Sequence, residues 1–234
     1  MLRTPIRAAT AAKAAVAAAA VGGVIAGCAP VQMGAAAIVG NQRISAAQLD
    51  SEVSALSKAY QPYAGSVQLT AAQMPKEVLS WLIRFQVRED LASRDGITVT
   101  RGQTQQALAG IYAQAQQQAA QSGVTNVSLT ELAVANGLPP DLLAKLGRYQ
   151  AIEIAFAEQK NGGKLPTSTT AVNTITQQFS HAECLTYKAE PVHVNPQFGT
   201  MNYSQYSVIA APDTLSRAEG AGAAAASSGQ APPC

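Results

Sequence analysis

Apolar residues recur along the chain at the spacing of amphipathic helices, and turn-forming residues separate the successive segments. Three segments begin with the residue pairs of a capping box, which are Ser45 with Gln48, Thr100 with Gln103, and Ser128 with Glu131. This pattern predicts six helices, at about residues 46–60, 75–94, 101–121, 129–135, 140–160 and 168–184.

β-favouring residues occur at both ends of this helical region. The segment 36–45 (AAIVGNQRIS) has two short apolar pieces around Gly40-Asn41, which is typical of a hairpin. Residues 186–200 combine β-favouring residues with prolines and predict one or two short strands. We therefore expect a mainly α fold, with about six helices and a small β element formed by the two ends of the domain. The domain would span 36–200, and 201–234 would be a low-complexity, disordered tail.

The helix at 75–94 has an unusually wide apolar surface. Its apolar positions cover about 240° of the helical wheel, whereas a helix on the outside of a small domain needs little more than about 100°. Ser80, Arg84 and Arg88 form its polar edge. The helix is therefore central and covered on several sides, or one of its faces lines an exposed groove. Plain burial is the simpler interpretation.

The first 27 residues have the layout of an export signal. Three cations precede a small, apolar run of about 13 residues (14–26), too short for a membrane span of roughly 20 residues. The run ends in VIAGC (24–28), which resembles a bacterial lipobox. The resemblance implies a signal peptide at 1–27, a lipid with acyl chains such as palmitate on Cys28, and a tether at 28–35. The protein would then be anchored to the cell membrane on its extracytoplasmic face.

Loss of the signal changes the charge of the protein. The full chain has 16 basic and 14 acidic residues, and removal of the three signal cations leaves 13 and 14, about −1. This balance argues against nucleic-acid binding.

The remaining cysteines and histidines offer little chemistry. Cys184 and Cys234 either pair in a disulfide outside the cytoplasm or are two unrelated thiols. His181 lies three residues before Cys184, but two ligands are too few for structural zinc. The sequence contains no nucleophile elbow, phosphate-binding loop or dinucleotide-binding turn. We therefore expect no enzyme activity, metal or cofactor.

Several segments, taken in order, resemble the N-terminal domain of the SurA family of periplasmic chaperones, over about residues 36–200. They are AAIVGNQRIS followed by AQLDSEV, the helix VLSWLIRFQVREDLASRDGITVT, the link ANGLPPDLLAKL, and the closing VHVNPQFGT. The resemblance implies a helical domain around a groove that binds extended, unfolded polypeptide. Longer family members insert a parvulin prolyl isomerase domain, and the corresponding interval here, 161–169, is too short for one.

The resemblance supplies no fixed binding motif, so the candidate peptide-binding residues are chosen for their large rings. They are Trp81, Phe85, Tyr60, Tyr63 and Tyr112. For each of them, burial in the core is the alternative. The protein would be a lipid-anchored holdase for unfolded exported proteins, or an adaptor lipoprotein that binds one folded envelope partner. An open groove at Trp81 and Phe85 would favour the holdase, and a sealed core would favour the adaptor.

Overall fold

A computed structural model describes residues 34–124, 127–211, 232 and 234. The predicted signal peptide, Cys28 and most of the predicted tether lie outside the described residues. Within the part that is described, no helix is both long enough and apolar enough to cross a membrane.

The predicted mainly α fold with six helices is confirmed for the described residues. The helices are α1 (Ala46–Tyr60), α2 (Met74–Arg94), α3 (Arg101–Gln121), α4 (Leu129–Ala135), α5 (Leu143–Lys160) and α6 (Thr169–Ala189). The hydroxyls of Ser45, Thr100 and Ser128 accept main-chain hydrogen bonds three residues ahead, at 3.0, 3.2 and 3.0 Å. These hydroxyls therefore cap α1, α3 and α4 as predicted. Of the three, only Thr100 forms the full capping box, because its amide also donates to Gln103 Oε1 at 2.8 Å.

The two ends of the domain meet in a small antiparallel sheet, as expected. Its strands are β1 (Ala35–Val39), β2 (Gln42–Ser45) and β3 (Val192–Val194), in the order β2-β1-β3. Gly40 forms the β1–β2 turn with a φ of 54°, and a Cβ there would collide with the side chain of Glu190. The positive φ favours glycine at this turn, and a larger residue would also have to displace the flexible Glu190 carboxylate.

The predicted boundary at residue 200 is wrong. Strands β4 (Thr200–Asn202) and β5 (Ser207–Ile209) form a second antiparallel hairpin, which is part of the folded domain. Met201, Tyr203 and Val208 are buried, and the Val208 amide donates a hydrogen bond of 2.8 Å to Ser80 Oγ on α2. Burial of these side chains explains why this segment is ordered. The predicted tail beyond it, from residue 212 to 231, lies outside the described residues.

Helix α6 also extends further than predicted. Residues 186–189 were expected to begin a strand, but they form the last turn of α6. Thr186 Oγ1 donates a hydrogen bond to the Ala182 carbonyl, and Tyr187 is fully buried with its ring stacked on Tyr206 at 4.5 Å. Tertiary packing therefore overrides the local preference of this segment for β structure.

Helix α2 is the centre of the domain, which confirms the interpretation of its wide apolar surface. Eleven of its residues are buried, and it contacts α1, α5, α6, β1, β2 and β5. Ser80 and Arg88 are buried as well, so the expected polar edge of α2 does not face solvent. Helix α3 is the opposite case, because Ala107 is its one buried residue and its main partner is α5.

Helices α3 and α5 approach each other closely at Gly147. A Cβ at this position would lie 2.6 Å from the Thr104 carbonyl oxygen and 3.0 Å from Leu108 Cβ. The absence of a side chain therefore allows the two helices to touch.

A disulfide joins Cys184 on α6 to Cys234, with the two Cα atoms 5.9 Å apart. It ties the C-terminal residue of the chain to the helical domain.

Candidate functional site

Trp81 and Phe85 lie one helical turn apart on α2 and pack against each other. Their ring centroids are 5.6 Å apart, and the Tyr149 ring from α5 meets both of them edge-on, at 6.2 and 5.9 Å. Phe85 is only 7% exposed. Trp81 is half-buried, and its indole N–H donates a 2.9 Å hydrogen bond to the Asn136 carbonyl. These rings form a closed packing unit, with no open groove around Phe85.

The three predicted tyrosines are half-buried, and each hydroxyl is hydrogen-bonded within the domain. Tyr60 donates to the Val67 carbonyl at 3.0 Å, and Tyr112 donates to the Val127 carbonyl at 3.0 Å. Tyr63 shares a 3.2 Å hydrogen bond with Ser128 Oγ. The tyrosine hydroxyls therefore stabilise the positions of neighbouring loop segments by hydrogen bonding. None of the five predicted aromatic residues lines either of the two cavities described below.

Next to the aromatic unit, Arg88 is a buried cation, 2% exposed. Its guanidinium lies 3.7 Å from the Tyr149 ring centroid and 4.4 Å from that of Phe179. It also forms ion pairs with Glu153 at 3.3 Å and Glu183 at 3.0 Å. These contacts connect α2 to α5 and α6.

The pKa of Tyr149 reflects the buried environment that this residue shares with Arg88. Burial raises the pKa of the Tyr149 phenol, and the positive charge of Arg88 partly opposes that rise. A phenol with a raised pKa stays neutral at physiological pH. The two terminal nitrogens of Arg88 are hydrogen-bonded, whereas its buried Nε has no partner among the described residues. The ion pairs and ring contacts of Arg88 and the raised pKa of Tyr149 indicate a structural cluster and give no support for proton-transfer chemistry.

An open groove lies elsewhere, between α3 and α5, with a volume of about 510 Å³. We call it the α3–α5 groove. Small and apolar residues from both helices line it, together with glutamines and Leu165 from the α5–α6 link. The lining residues are Gln103, Gln106, Ala107, Gly110, Ile111, Gln114, Gln150, Ala151, Ile154, Glu158 and Leu165. Leu165 is 51% exposed, so the groove includes accessible apolar surface.

The polar groups of the α3–α5 groove are mostly carboxamides. Gln103 is occupied, because its Oε1 accepts hydrogen bonds from the amide and the hydroxyl of Thr100. Within the described residues, Gln106, Gln114 and Gln150 make no side-chain hydrogen bond. Of the lining residues that the structure describes, Glu158 alone is ionisable. The groove therefore offers unused donors and acceptors beside apolar surface.

A second, smaller cavity of about 240 Å³ lies between α5 and α6. It is lined by Asp95, Phe156, Lys160, Gln178, His181 and Ala182. His181 faces this cavity and is exposed. The described residues contain no group of three or more histidine, cysteine or acidic side chains that could hold a metal ion.

The sequence signal for the α3–α5 groove is the glutamine-rich side of α3, which by itself is typical of an ordinary solvated helix face. The other wall comes from α5, more than 35 residues away along the chain. Only the packing of α3 on α5 through Gly147 places the two walls together.

A family model described as the SurA-like N-terminal domain matches residues 1–144, more than half of the chain. No curated protein and no solved structure matches the chain significantly. The matched range contains all of α1 to α4 and hence the α3 wall of the groove. The α5 wall lies beyond residue 144.

Proposed function

The chain belongs to the SurA-like N-terminal domain family, and on that premise we propose that it is a membrane-anchored chaperone that holds unfolded exported polypeptides. The family is chaperone-related, and its N-terminal domain is of a non-catalytic type. The proposal therefore concerns binding alone, without a chemical step.

The observation that carries the proposal is the α3–α5 groove. A holdase needs exposed apolar surface beside polar groups of low specificity, so that many unfolded sequences can bind. The groove combines Ile111, Ile154 and the exposed Leu165 with glutamine side chains. Its volume of about 510 Å³ lies within the range of binding pockets, roughly 300–1,000 Å³.

The proposed anchor is a lipid on Cys28. The lipobox-like VIAGC sequence supports it, and each acyl methylene buried in a bilayer contributes about 0.8 kcal/mol to membrane affinity. The first described strand begins at Ala35, so the six residues 29–34 would lead from the lipid-bearing cysteine into the folded domain. The disulfide between Cys184 and Cys234 supports an extracytoplasmic location, because disulfides persist in oxidising compartments.

We further propose that the chain works without a parvulin domain in its helical core. Residues 161–168 link α5 to α6, and this is the interval at which longer relatives were expected to carry that domain. A segment of this length is far below the size that can form a core of its own.

An aggregation assay tests the holdase function. The chain from residue 29 onward contains every described residue and can be mixed with a urea-unfolded outer-membrane porin on dilution. We expect light scattering to fall with increasing molar ratio of this chain. Unchanged scattering at fivefold molar excess, with serum albumin as the inert control, would exclude the holdase.

The anchor is tested separately in a bacterial envelope. The full chain should sediment with membranes and incorporate labelled palmitate, whereas a Cys28→Ser variant should do neither. Membrane association of Cys28→Ser equal to that of the wild type would exclude lipidation as the anchor.

One observation favours the second candidate, an adaptor that binds one folded envelope partner. Phe85 is sealed and Trp81 has its indole N–H paired, so in the described part of the chain these rings belong to the core, which is the outcome that would favour an adaptor. Crosslinking of the anchored protein in its native envelope separates the candidates. An adaptor gives one stoichiometric partner, and a holdase gives many substoichiometric ones.

A further inference from the structure

We propose that the α3–α5 groove binds a short, extended polypeptide segment that is uncharged or basic, and that it recognises mainly the main chain. The inference rests on the proposed chaperone function and specifies the site and the class of client segment. The occupant is thus a stretch of unfolded client protein.

The length of the α3 wall sets the length of the segment. Groove residues on α3 extend from Gln103 to Gln114, which at 1.5 Å per residue is about 16 Å. An extended chain advances about 3.3 Å per residue, so the wall accommodates about five residues. Groove residues on α5 extend from Gln150 to Glu158 and provide a shorter facing wall.

The hydrogen-bonding groups of the groove suit a main chain of any sequence. A glutamine carboxamide both donates and accepts, so it can pair with a peptide N–H or C=O. Gln106, Gln114 and Gln150 have no hydrogen-bond partner within the described part of the chain. A polypeptide lying between them can bond to them in more than one register, and its apolar side chains can contact Ile111 and Ile154.

Charge complementarity decides which clients fit. Among the described residues that line the groove, Glu158 is the only ionisable one, and none is a lysine or an arginine. An acidic segment would bring like charge to Glu158 in a partly desolvated site, whereas a basic segment would gain from it. We therefore expect exclusion of acidic segments and tolerance of neutral and basic ones.

Gly110 allows the groove to be blocked without damage to the fold. A Cβ added at this position meets no atom within 4 Å, so a larger side chain projects into open space within the groove. Leucine is also a much better helix former than glycine, so Gly110→Leu should not weaken α3. Gly102→Leu is the matched control, because Gly102 lies on the same helix, is exposed, and does not line the groove.

The test uses the chain from residue 29 onward and fluorescein-labelled nonapeptides of alternating serine and valine. One peptide carries two terminal lysines, one carries two terminal glutamates, and a third is the lysine peptide with alternate amides N-methylated. Fluorescence anisotropy should show binding of the lysine peptide. We expect Gly110→Leu to raise Kd about tenfold or more and Gly102→Leu to leave it unchanged.

Two further arms test the chemistry of recognition. N-methylation should weaken binding, because it removes main-chain donors and adds bulk, and the combined Gln106→Ala and Gln114→Ala variant should weaken it too. The glutamate peptide should bind several-fold more weakly than the lysine peptide, and Glu158→Gln should reduce that difference. Equal binding of both peptides by the wild type would overturn the charge assignment.

Other occupants give different results, and each would overturn the proposal. If the chain's own residues 212–231 fill the groove, peptide binding appears only after Cys234→Ser or reduction frees the C-terminus. If a second copy fills it, the wild type dimerises in sedimentation analysis and Gly110→Leu is monomeric. If the wild type suppresses porin aggregation and Gly110→Leu suppresses it equally well, the groove assignment fails while the chaperone function stands. If the wild type does not suppress aggregation at all, the proposed function itself fails.

Discussion

Removal of the disulfide between Cys184 and Cys234 should destabilise the domain strongly. The two cysteines are 50 residues apart, and the loop they close contains β3, β4 and β5. In the chain-entropy model, closing a loop of this length removes about 14 cal/mol/K from the unfolded state, or about 4 kcal/mol at 25 °C. For a domain of roughly 200 residues, a loss of this size lowers Tm by about 8–16 °C.

Circular dichroism melts of the chain from residue 29 onward measure this effect. That chain contains only two cysteines, Cys184 and Cys234. The oxidised wild type should therefore show no free thiol in denaturant. The reduced wild type and Cys234→Ser should melt at similar temperatures, both well below the oxidised protein. Two free thiols in the oxidised sample would refute the pairing, and a Tm difference below about 2 °C would refute the loop-entropy argument.

Three further predictions test the packing. Arg88→Met should lower the free energy of unfolding by about 3 kcal/mol in urea titrations, because it removes a buried cation from two aromatic rings and leaves the half-buried Glu183 carboxylate unpaired. Arg94→Met, at an exposed ion pair, should change it by less than about 1 kcal/mol, and equal losses would contradict the assignment. Gly147→Ala should lower the free energy of unfolding by about 1–3 kcal/mol in the same titrations, because the added Cβ would collide with the main chain of α3. Gly110→Ala should instead raise it by about 0.5–1 kcal/mol, since alanine is the better helix former and meets no atom there. An unchanged stability in Gly147→Ala would refute the close approach of α3 and α5. Burial raises the pKa of Asp90 above its ordinary 3.8, so ionisation of this carboxyl destabilises the folded state as pH rises from below 3.8 through the folded pKa. Asp90→Asn should therefore raise Tm at pH 7 and lose that advantage near pH 3. An equal gain in Tm at both pH values would contradict this account.

Local signals predicted most of the helical fold because they are encoded within a few neighbouring residues. The caps at Ser45, Thr100 and Ser128 place their hydroxyls on main-chain N–H groups three residues ahead. The β4–β5 hairpin is different, because its order depends on burial of Val208 and a hydrogen bond to Ser80, 128 residues away along the chain. The small residues that predict a disordered tail begin only at about residue 211, and the ten residues before them carry no local sign of such a long-range contact.

The candidate site was harder to predict for the same reason. Large rings such as Trp81 and Phe85 are natural candidates for binding residues, but they also bury the most apolar surface when they lie in a core. Glutamines such as Gln106 and Gln114 look like an ordinary solvated face in the sequence. Their role as one wall of a groove depends on α5, whose Gly147 allows the close contact with α3.

Helices α2 and α3 differ in function because α2 is largely buried and α3 is largely exposed. Helix α2 contacts helices α1, α5 and α6 and three of the strands, and its aromatic side chains pack on α5 through Tyr149. Substitution of Trp81 or Phe85 therefore removes core packing, and a resulting loss of holdase activity would not distinguish a binding defect from a folding defect. Helix α3 has one buried residue, so its groove face can change with little effect on the core. A loss of client binding in Gly110→Leu with an unchanged or higher Tm would thus be a defect of binding alone, and this makes α3 the helix on which a chaperone role can be decided.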